Sequence, residues 1–173
     1  MDALRLDGAQ PLRLRRQMTA DIIIRSATPE DLPTLLTFEQ GIIRAERPYD
    51  HMLKPHPISY YDVGALIVDP DAEVAVAETE GKLIGSGYAR RKPSRHYLTP
   101  EEHAFIGFLY VDPFFRGRGV NQRVLDHLFA WARSNDLPEI HLTVYPENAP
   151  AVRAYEKAGF SAYLTEMRLN LDE

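Results

Sequence analysis

Not one of the 173 residues is a cysteine, which excludes disulfides, thiolate catalysis and a classical zinc site, and suits either redox compartment. Long apolar runs are missing too: none approaches the roughly 18 residues needed to span a bilayer, so no membrane partner is expected, and a cytoplasmic location is. A basic excess is absent. The formal net charge is −5, whereas proteins that bind nucleic acid usually carry a basic face, so nucleic acid is not expected as a partner. His51 and His56 miss the i, i+4 spacing of a helical metal site and have no third ligand nearby, so no metal is expected. There are no internal repeats and no low-complexity tracts. What is there, 45% hydrophobic and 26% charged residues, has the balance of an ordinary globular protein, and the length suits one domain with a sizeable core.

Residues 1–20 stand apart. Arg5, Arg13, Arg15 and Arg16 make this segment basic, but Asp2 and Asp7 count against a transit peptide and no secretory apolar core appears. The expectation is a loosely held extension before a domain over 21–173, with Met18 as an alternative start.

Along the domain, Ile22-Ile23-Ile24 reads as a strand. Thr28-Pro29-Glu30-Asp31 then supplies an N-cap, a proline at the first helical position and acids at the positive end of the helix dipole. Leu32, Leu35, Leu36, Ile42 and Ile43 follow at helical spacing, interrupted on that face by Glu39, and predict a helix to about Arg44. Pro48, Pro55 and Pro57 make a loop, and a short helix is expected from Ser59. Alternation from Glu73, a turn at Glu80-Gly81-Lys82 and a return from Leu83 to Tyr88 predict an antiparallel hairpin. Val124, Leu125, Leu128, Phe129 and Ala132 form the stripe of a helix ending near Asn135. Ile140, Leu142 and Val144 alternate as a strand, and Phe160 to Leu171 reads as the closing strand or strands.

Between these elements lies the stretch that organises the rest, Phe105 to Gln122. The apolar run to Val111 reads as a buried strand, ended by Asp112-Pro113 because proline cannot donate to a ladder. Gly117 and Gly119 then let backbone N–H groups turn inward, and a helix begins there, so unpaired amides and the positive dipole end converge on one spot. Such a spot binds phosphate. A Walker loop is excluded because no Lys-Ser or Lys-Thr pair follows, and the dinucleotide Gly-x-Gly-x-x-Gly pattern is missing.

The remaining pattern resembles the acyl-CoA pyrophosphate loop of the GNAT superfamily of N-acetyltransferases, Gln/Arg-x-x-Gly-x-Gly/Ala, with Arg116, Gly119 and Asn121 at its fixed positions. Asn121 departs from the usual small residue. Asn148, Ala151, Tyr155, Gly159 and Phe160 match the second GNAT hallmark, Asn-x-x-Ala-x-x-x-Tyr-x-x-x-Gly-Phe, at every position. The resemblance covers about Ile22 to Leu171. It implies an α/β fold, a single domain with a mixed, mostly antiparallel twisted sheet of six or seven strands flanked by about four helices. It also implies acetyl-CoA-dependent transfer to a primary amine, with a small-molecule or peptide acceptor and a homodimer as a plausible assembly. The neighbouring expectations are another acyl group, a protein N-terminus as acceptor, or a non-catalytic acyl-CoA-binding domain.

Carried over residue by residue, the resemblance implies that Arg116, Gly117, Arg118, Gly119, Val120, Asn121 and Gln122 hold the pyrophosphate. Backbone groups of Leu109, Tyr110 and Val111 pair with the pantetheine arm. Asn148 touches the arm from the other side, a position that also suits plain N-capping. Tyr155 faces the thioester sulfur and hydrogen-bonds the departing thiolate, and the Val111 N–H serves as oxyanion donor. The family's glutamate base on the central strand falls here on Phe105 and is absent. His103 shares its strand parity and has a useful reference pKa. Glu102, Glu46 and Asp50 lie in segments expected near the acceptor, and a water relay is a further route. Tyr60 and Tyr61 either line the acceptor pocket or anchor their helix. The basic run Arg90, Arg91, Lys92, Arg95 and His96 is a solvated loop or an attractor for acidic groups.

Overall fold

Hydrophobic alternation along the two longest strands divides the protein into two apolar layers on either side of one sheet. The structure is a computed structural model in which residues 21–171 are described. The expected extension over 1–20 and the alternative start at Met18 lie outside them. Strands β1 (Ile23–Ser26), β2 (Ala72–Thr79), β3 (Lys82–Pro93), β4 (Glu102–Val111) and β5 (Ile140–His141) stand side by side in chain order. The first four pair antiparallel, and β5 joins β4 in parallel. Four helices flank the sheet: α1 (Leu32–Glu46), α2 (Val63–Val68), α3 (Val120–Ser134) and α4 (Ala149–Lys157).

On β2, Ala75 and Ala77 face Val124, Leu125 and Leu128 of α3, while Val74 and Val76 face Leu35 and Phe38 of α1 and Val63 and Leu66 of α2. That is the period-two alternation of a strand buried on both faces. Glycine lets α3 settle close to the sheet. A Cβ on Gly87 would lie 2.8 Å from Leu109 and 2.9 Å from Val124. The β2–β3 hairpin turns through Glu80 and Gly81 at φ 49° and 74°, the paired positive dihedrals that match strand twist in a two-residue turn. The helix after Thr28 begins with a 3-10 turn, Pro29–Asp31, whose Asp31 carboxylate accepts from the Thr28 N–H at 2.8 Å. The short helix expected from Ser59 starts later, at Val63, where the Asp62 carboxylate caps Ala65 N–H at 3.0 Å.

Six or seven strands were expected, and the described residues form five. The difference lies after residue 140. β5 pairs only through Ala104↔Ile140 and Phe105↔His141, so the alternation at Leu142 and Val144 has no ladder. Phe160 to Leu171 likewise carries no ladder, and Tyr163, Met167 and Leu169 are 70%, 90% and 81% exposed. Alternation encodes which side chains share a face, but a strand also needs a neighbouring edge, and β5 is too short to offer one. Among the described residues, no helix is long and apolar enough to cross a membrane.

Candidate active site

The short β4–β5 ladder opens a cleft. Ala104 N–H donates to the Glu139 carbonyl at 2.9 Å, but past Phe105 the side of β4 away from β3 has no strand beside it among the described residues. A bulge then sets which backbone groups face that gap. Tyr88 pairs with Gly107 and Ser86 with Tyr110, so Phe108 and Leu109 both oppose Gly87, and Phe108 takes φ 59°. One extra residue shifts the alternation by one. Asp112 N–H therefore reaches back to Ile84 O at 2.8 Å, and the N–H groups of Leu109 and Val111 turn toward the cleft while Tyr110 stays paired within the sheet. The Tyr110 ring stacks on Phe38 with centroids 4.4 Å apart. Nothing in the sequence signals this bulge, because phenylalanine is an uncommon residue at positive φ.

The cleft leads into the glycine corner. Asp112 caps a 3-10 turn, Pro113–Phe115, accepting from Phe114 N–H at 2.9 Å, and Lys82 pairs with the same carboxylate at 3.2 Å. Gly117 and Gly119 follow at φ 72° and 76°, each with open space where a Cβ would stand. Their glycine requirement is conformational. α3 starts immediately, its first helical bond running from Arg123 N–H to Gly119 O at 3.1 Å. The amides of Val120, Asn121 and Gln122 precede that bond and have no intrahelical partner. Its first turn holds no acid, so the positive dipole end is not neutralised from within. Arg118 stands over the Phe114 and Phe115 rings at 5.4 and 5.2 Å, and Arg116 Nε donates to Val111 O at 3.3 Å. Cations and unpaired amides thus gather at one corner, donors of the kind that can hold an anion.

Tyr155 is positioned by the way α4 ends. Asn148 caps the helix, accepting from Ala151 N–H at 3.4 Å. At the other end Gly159 at φ 102° donates to Glu156 O, and Phe160 N–H donates to Tyr155 O, both at 3.0 Å. This is a Schellman motif, completed by the Tyr155 and Phe160 rings, 6.1 Å apart and nearly perpendicular. The Tyr-x-x-x-Gly-Phe spacing thus specifies a helix stop that fixes the tyrosine. Burial, and then the charge of Glu46, push the Tyr155 phenol up to about 12. Its hydroxyl has no hydrogen-bond partner among the described residues.

His103 sits at the start of β4, buried, with Nδ1 3.1 Å from Ser94 Oγ and its ring stacked on His141 at 4.0 Å. Burial, His141 and Lys92 lower its pKa. Glu102 pairs with Arg91. Asp50 is held by Arg168 at 2.8 Å and accepts from the Tyr145 hydroxyl at 3.2 Å, and the hydrogen bond from Arg168 above all lowers its pKa to about 2. Glu39, the acid on an apolar stripe, is 1% exposed and accepts from Ser59 Oγ at 3.0 Å and from the Tyr60 and Tyr61 amides at 2.8 Å each. It ties the Tyr60–Tyr61 loop to α1, and its place in the helical stripe was the signal for that role. A surface depression of about 600 Å³ between α1 and α2 includes Tyr60 and Tyr61 but no residue of the glycine corner.

Residues 39–160 match the family model described as the acetyltransferase (GNAT) family. A mycothiol acetyltransferase of Acidothermus cellulolyticus is 33% identical over 109 residues, 57% of this chain and 32% of the relative. The L-amino acid N-acetyltransferase AaaT of Escherichia coli is 27% identical over 148 residues, 82% of this chain and 83% of the relative. The chain spans about a third to just over half of the length of the first curated relatives it matches. Among solved structures, a predicted acetyltransferase with acetyl-CoA from Clostridium acetobutylicum superposes with TM-score 0.66 at 19% identity, over 87% of this chain and 97% of the other. A tetramutant of the BH1408 protein from Bacillus halodurans gives 0.76 at 20%, over 86% and 99%. At such identities these two likenesses concern the fold.

Proposed function

Because this chain belongs to the acetyltransferase (GNAT) family, we propose that it is an acetyl-CoA-dependent N-acetyltransferase whose acceptor is a primary amine attacking the thioester directly. The observation that carries the reading is the continuity of the cleft along β4 with the unpartnered amides at Gly119 to Gln122. One end suits a diphosphate, and the other offers inward-facing backbone groups to an extended, amide-bearing arm. The L-amino acid N-acetyltransferase among the relatives favours a small amine acceptor.

In this reading Arg116, Gly117, Arg118, Gly119, Val120, Asn121 and Gln122 hold the pyrophosphate. Leu109 and Val111 align the pantetheine through their backbone, whereas Tyr110, expected to do the same, is paired to β3, and Asn148 closes the arm's far side. The Val111 N–H donates to the thioester oxygen as negative charge gathers there. Tyr155 donates to the sulfur as it leaves. Its high pKa keeps the phenol protonated at any physiological pH, so it acts as a hydrogen-bond donor ready throughout. The protein's remaining contribution is to hold amine and thioester in line.

Thiol release against a panel of small amines, polyamines, amino acids and peptides tests the assignment. With no cysteine in the chain, a thiol reagent reads only released CoA. Acetyl-dependent turnover with at least one amine is expected. Acetyl-CoA binding without turnover on any acceptor would make this a binding domain, and turnover only with another acyl-CoA or a protein N-terminus would move the substrate assignment.

A further inference from the structure

Arginines that tie this structure together meet acids: Arg25 pairs with Asp31 and Glu78, Arg91 with Asp71 and Glu102, and Arg168 with Asp50. Arg47 is different. It opens the 3-10 turn Arg47–Tyr49 that follows α1, within neither sequence hallmark. Its Nη1 donates to the Lys54 carbonyl at 3.0 Å and to the Leu53 carbonyl at 3.5 Å. Nε and Nη2 are buried and have no hydrogen-bond partner. Asp50, the acid three residues on, is already taken by Arg168 and the Tyr145 hydroxyl. Two unmet donors on one buried cation carry a desolvation cost that a bound acceptor group would remove.

Which two atoms are free decides what that group is. Nε and Nη2 share the edge of the guanidinium whose N–H bonds run parallel, and that edge takes both oxygens of a carboxylate at once. A single hydroxyl or amide oxygen would satisfy it only in part.

The fold sets this edge beside the cleft. α1 leans on β4 where the ladder to β5 has stopped: Phe38 stacks on the Tyr110 ring, and a Cβ on Gly41 would lie 2.6 Å from it. Two residues past Arg47, the Tyr49 ring stacks on Tyr145, centroids 6.0 Å apart, in the segment that follows β5. The turn carrying Arg47 therefore reaches from the helix over β4 to the chain beyond β5, the two elements whose parting opens the cleft. The free edge is closed to water. Nη1 holds the stretch 51–57, which forms no helix or strand and is largely exposed.

We propose that Arg47 binds the carboxylate of the acceptor, admitted as the stretch 51–57 shifts aside, so that the amine to be acetylated belongs to an amino acid. This rests on the N-acetyltransferase reading above and narrows its acceptor from any primary amine to one that carries a carboxylate. Anchoring the acid end leaves the amino end to be aimed along the cleft, so Arg47 sets specificity and position and takes no part in bond making. An acceptor without the carboxylate leaves the buried edge unpaired, which is the strongest ground a site has for rejecting it.

The experiment measures kcat and KM for free amino acids, with the amino group on the α, β or γ carbon, and for the matching decarboxylated amines. Wild type, Arg47→Gln and Arg47→Lys are compared, with the acetyl-CoA KM followed in parallel. Wild type should favour at least one amino acid over its decarboxylated amine by about 100-fold or more in kcat/KM. Arg47→Gln should collapse that ratio toward one, with the loss falling on the KM of the amino acid. A side chain that only tethers the loop would lower both substrates together, so an unchanged ratio overturns the proposal. If Arg47→Gln fails to fold, Arg47→Lys decides: it keeps the charge and loses the parallel pair of donors, and the ratio must fall by about tenfold or more. A ratio unmoved in Arg47→Lys overturns the assignment, as does a raised acetyl-CoA KM with the ratio intact, which would give the free edge to the cofactor. Wild-type turnover of amines without regard to a carboxylate removes this inference alone. A wild type silent on every amine and every amino acid removes the parent reading along with it.

Discussion

Removing the Tyr155 hydroxyl is the sharpest probe of the cleft, because the structure sets how much that hydroxyl can contribute. Burial, with the Glu46 charge adding to it, puts the phenol at about 12, against a thiol reference near 8.5. Full proton transfer to the thiolate is then uphill by about 3.5 units, or roughly 5 kcal/mol. A donor that cannot give up its proton still stabilises the departing sulfur through a charge-assisted hydrogen bond, worth about 1.5–3 kcal/mol. Tyr155→Phe should therefore lower kcat by about 10- to 100-fold at saturating acetyl-CoA. Cofactor affinity should stay within about twofold, since the lost bond strengthens only as charge develops. The phenyl ring keeps its place against Phe160, so folding should be untouched. The sign of the shift has a second consequence: the proton is retained at every pH below about 12, and Tyr155 should contribute no basic limb to kcat in the neutral range. Thiol release at saturating substrates, with acetyl-CoA binding measured in parallel, reads both quantities. Full kcat in Tyr155→Phe would refute the role. A collapse beyond about 10⁴-fold, with a tyrosine-dependent basic limb near 8–9, would refute the hydrogen-bond account in favour of complete proton transfer.

Three further perturbations address other parts of the structure. Gly119→Ala meets no neighbour with its new Cβ but must hold φ 76°, a strain of about 1–2 kcal/mol; thermal melting should show that modest loss. Its methyl beside the corner amides should raise the acetyl-CoA KM by about tenfold or more with kcat retained, and an unchanged KM would move the diphosphate elsewhere. Gly159→Ala strains the Schellman stop at φ 102° and should cost about 1–2 kcal/mol or more by denaturant titration, with kcat falling further than acetyl-CoA binding because Tyr155 loses its anchor. Asp31 takes two hydrogen bonds from Arg25, at 2.7 and 3.0 Å, and that contact above all lowers its pKa. A depressed carboxylate stabilises the fold above its unfolded pKa near 3.9 and loses that contribution as pH falls through the folded value. Asp31→Asn should thus melt earlier than wild type at pH 7 and converge with it in strong acid, as a pH series of melting temperatures would show.

Glycines, prolines and capping residues act within a few positions of themselves, and those parts of the protein could be read directly from the chain. The hairpin at Glu80-Gly81, the stop at Asp112-Pro113, the corner at Gly117 and Gly119 and the cap at Asn148 all form where local dihedral and hydrogen-bond requirements demand them. α1 and α3 follow for the same reason, since helical periodicity is a property of neighbours in sequence. Three things had no local cause. The Phe108 bulge depends on register against β3, the opening of the cleft depends on where β5 ceases to pair, and the strands expected after Phe160 depend on an edge that β5 does not extend. The surroundings of Glu46 belong with these. Its carboxyl is raised by burial, and desolvation exists only once the packed layers exclude water.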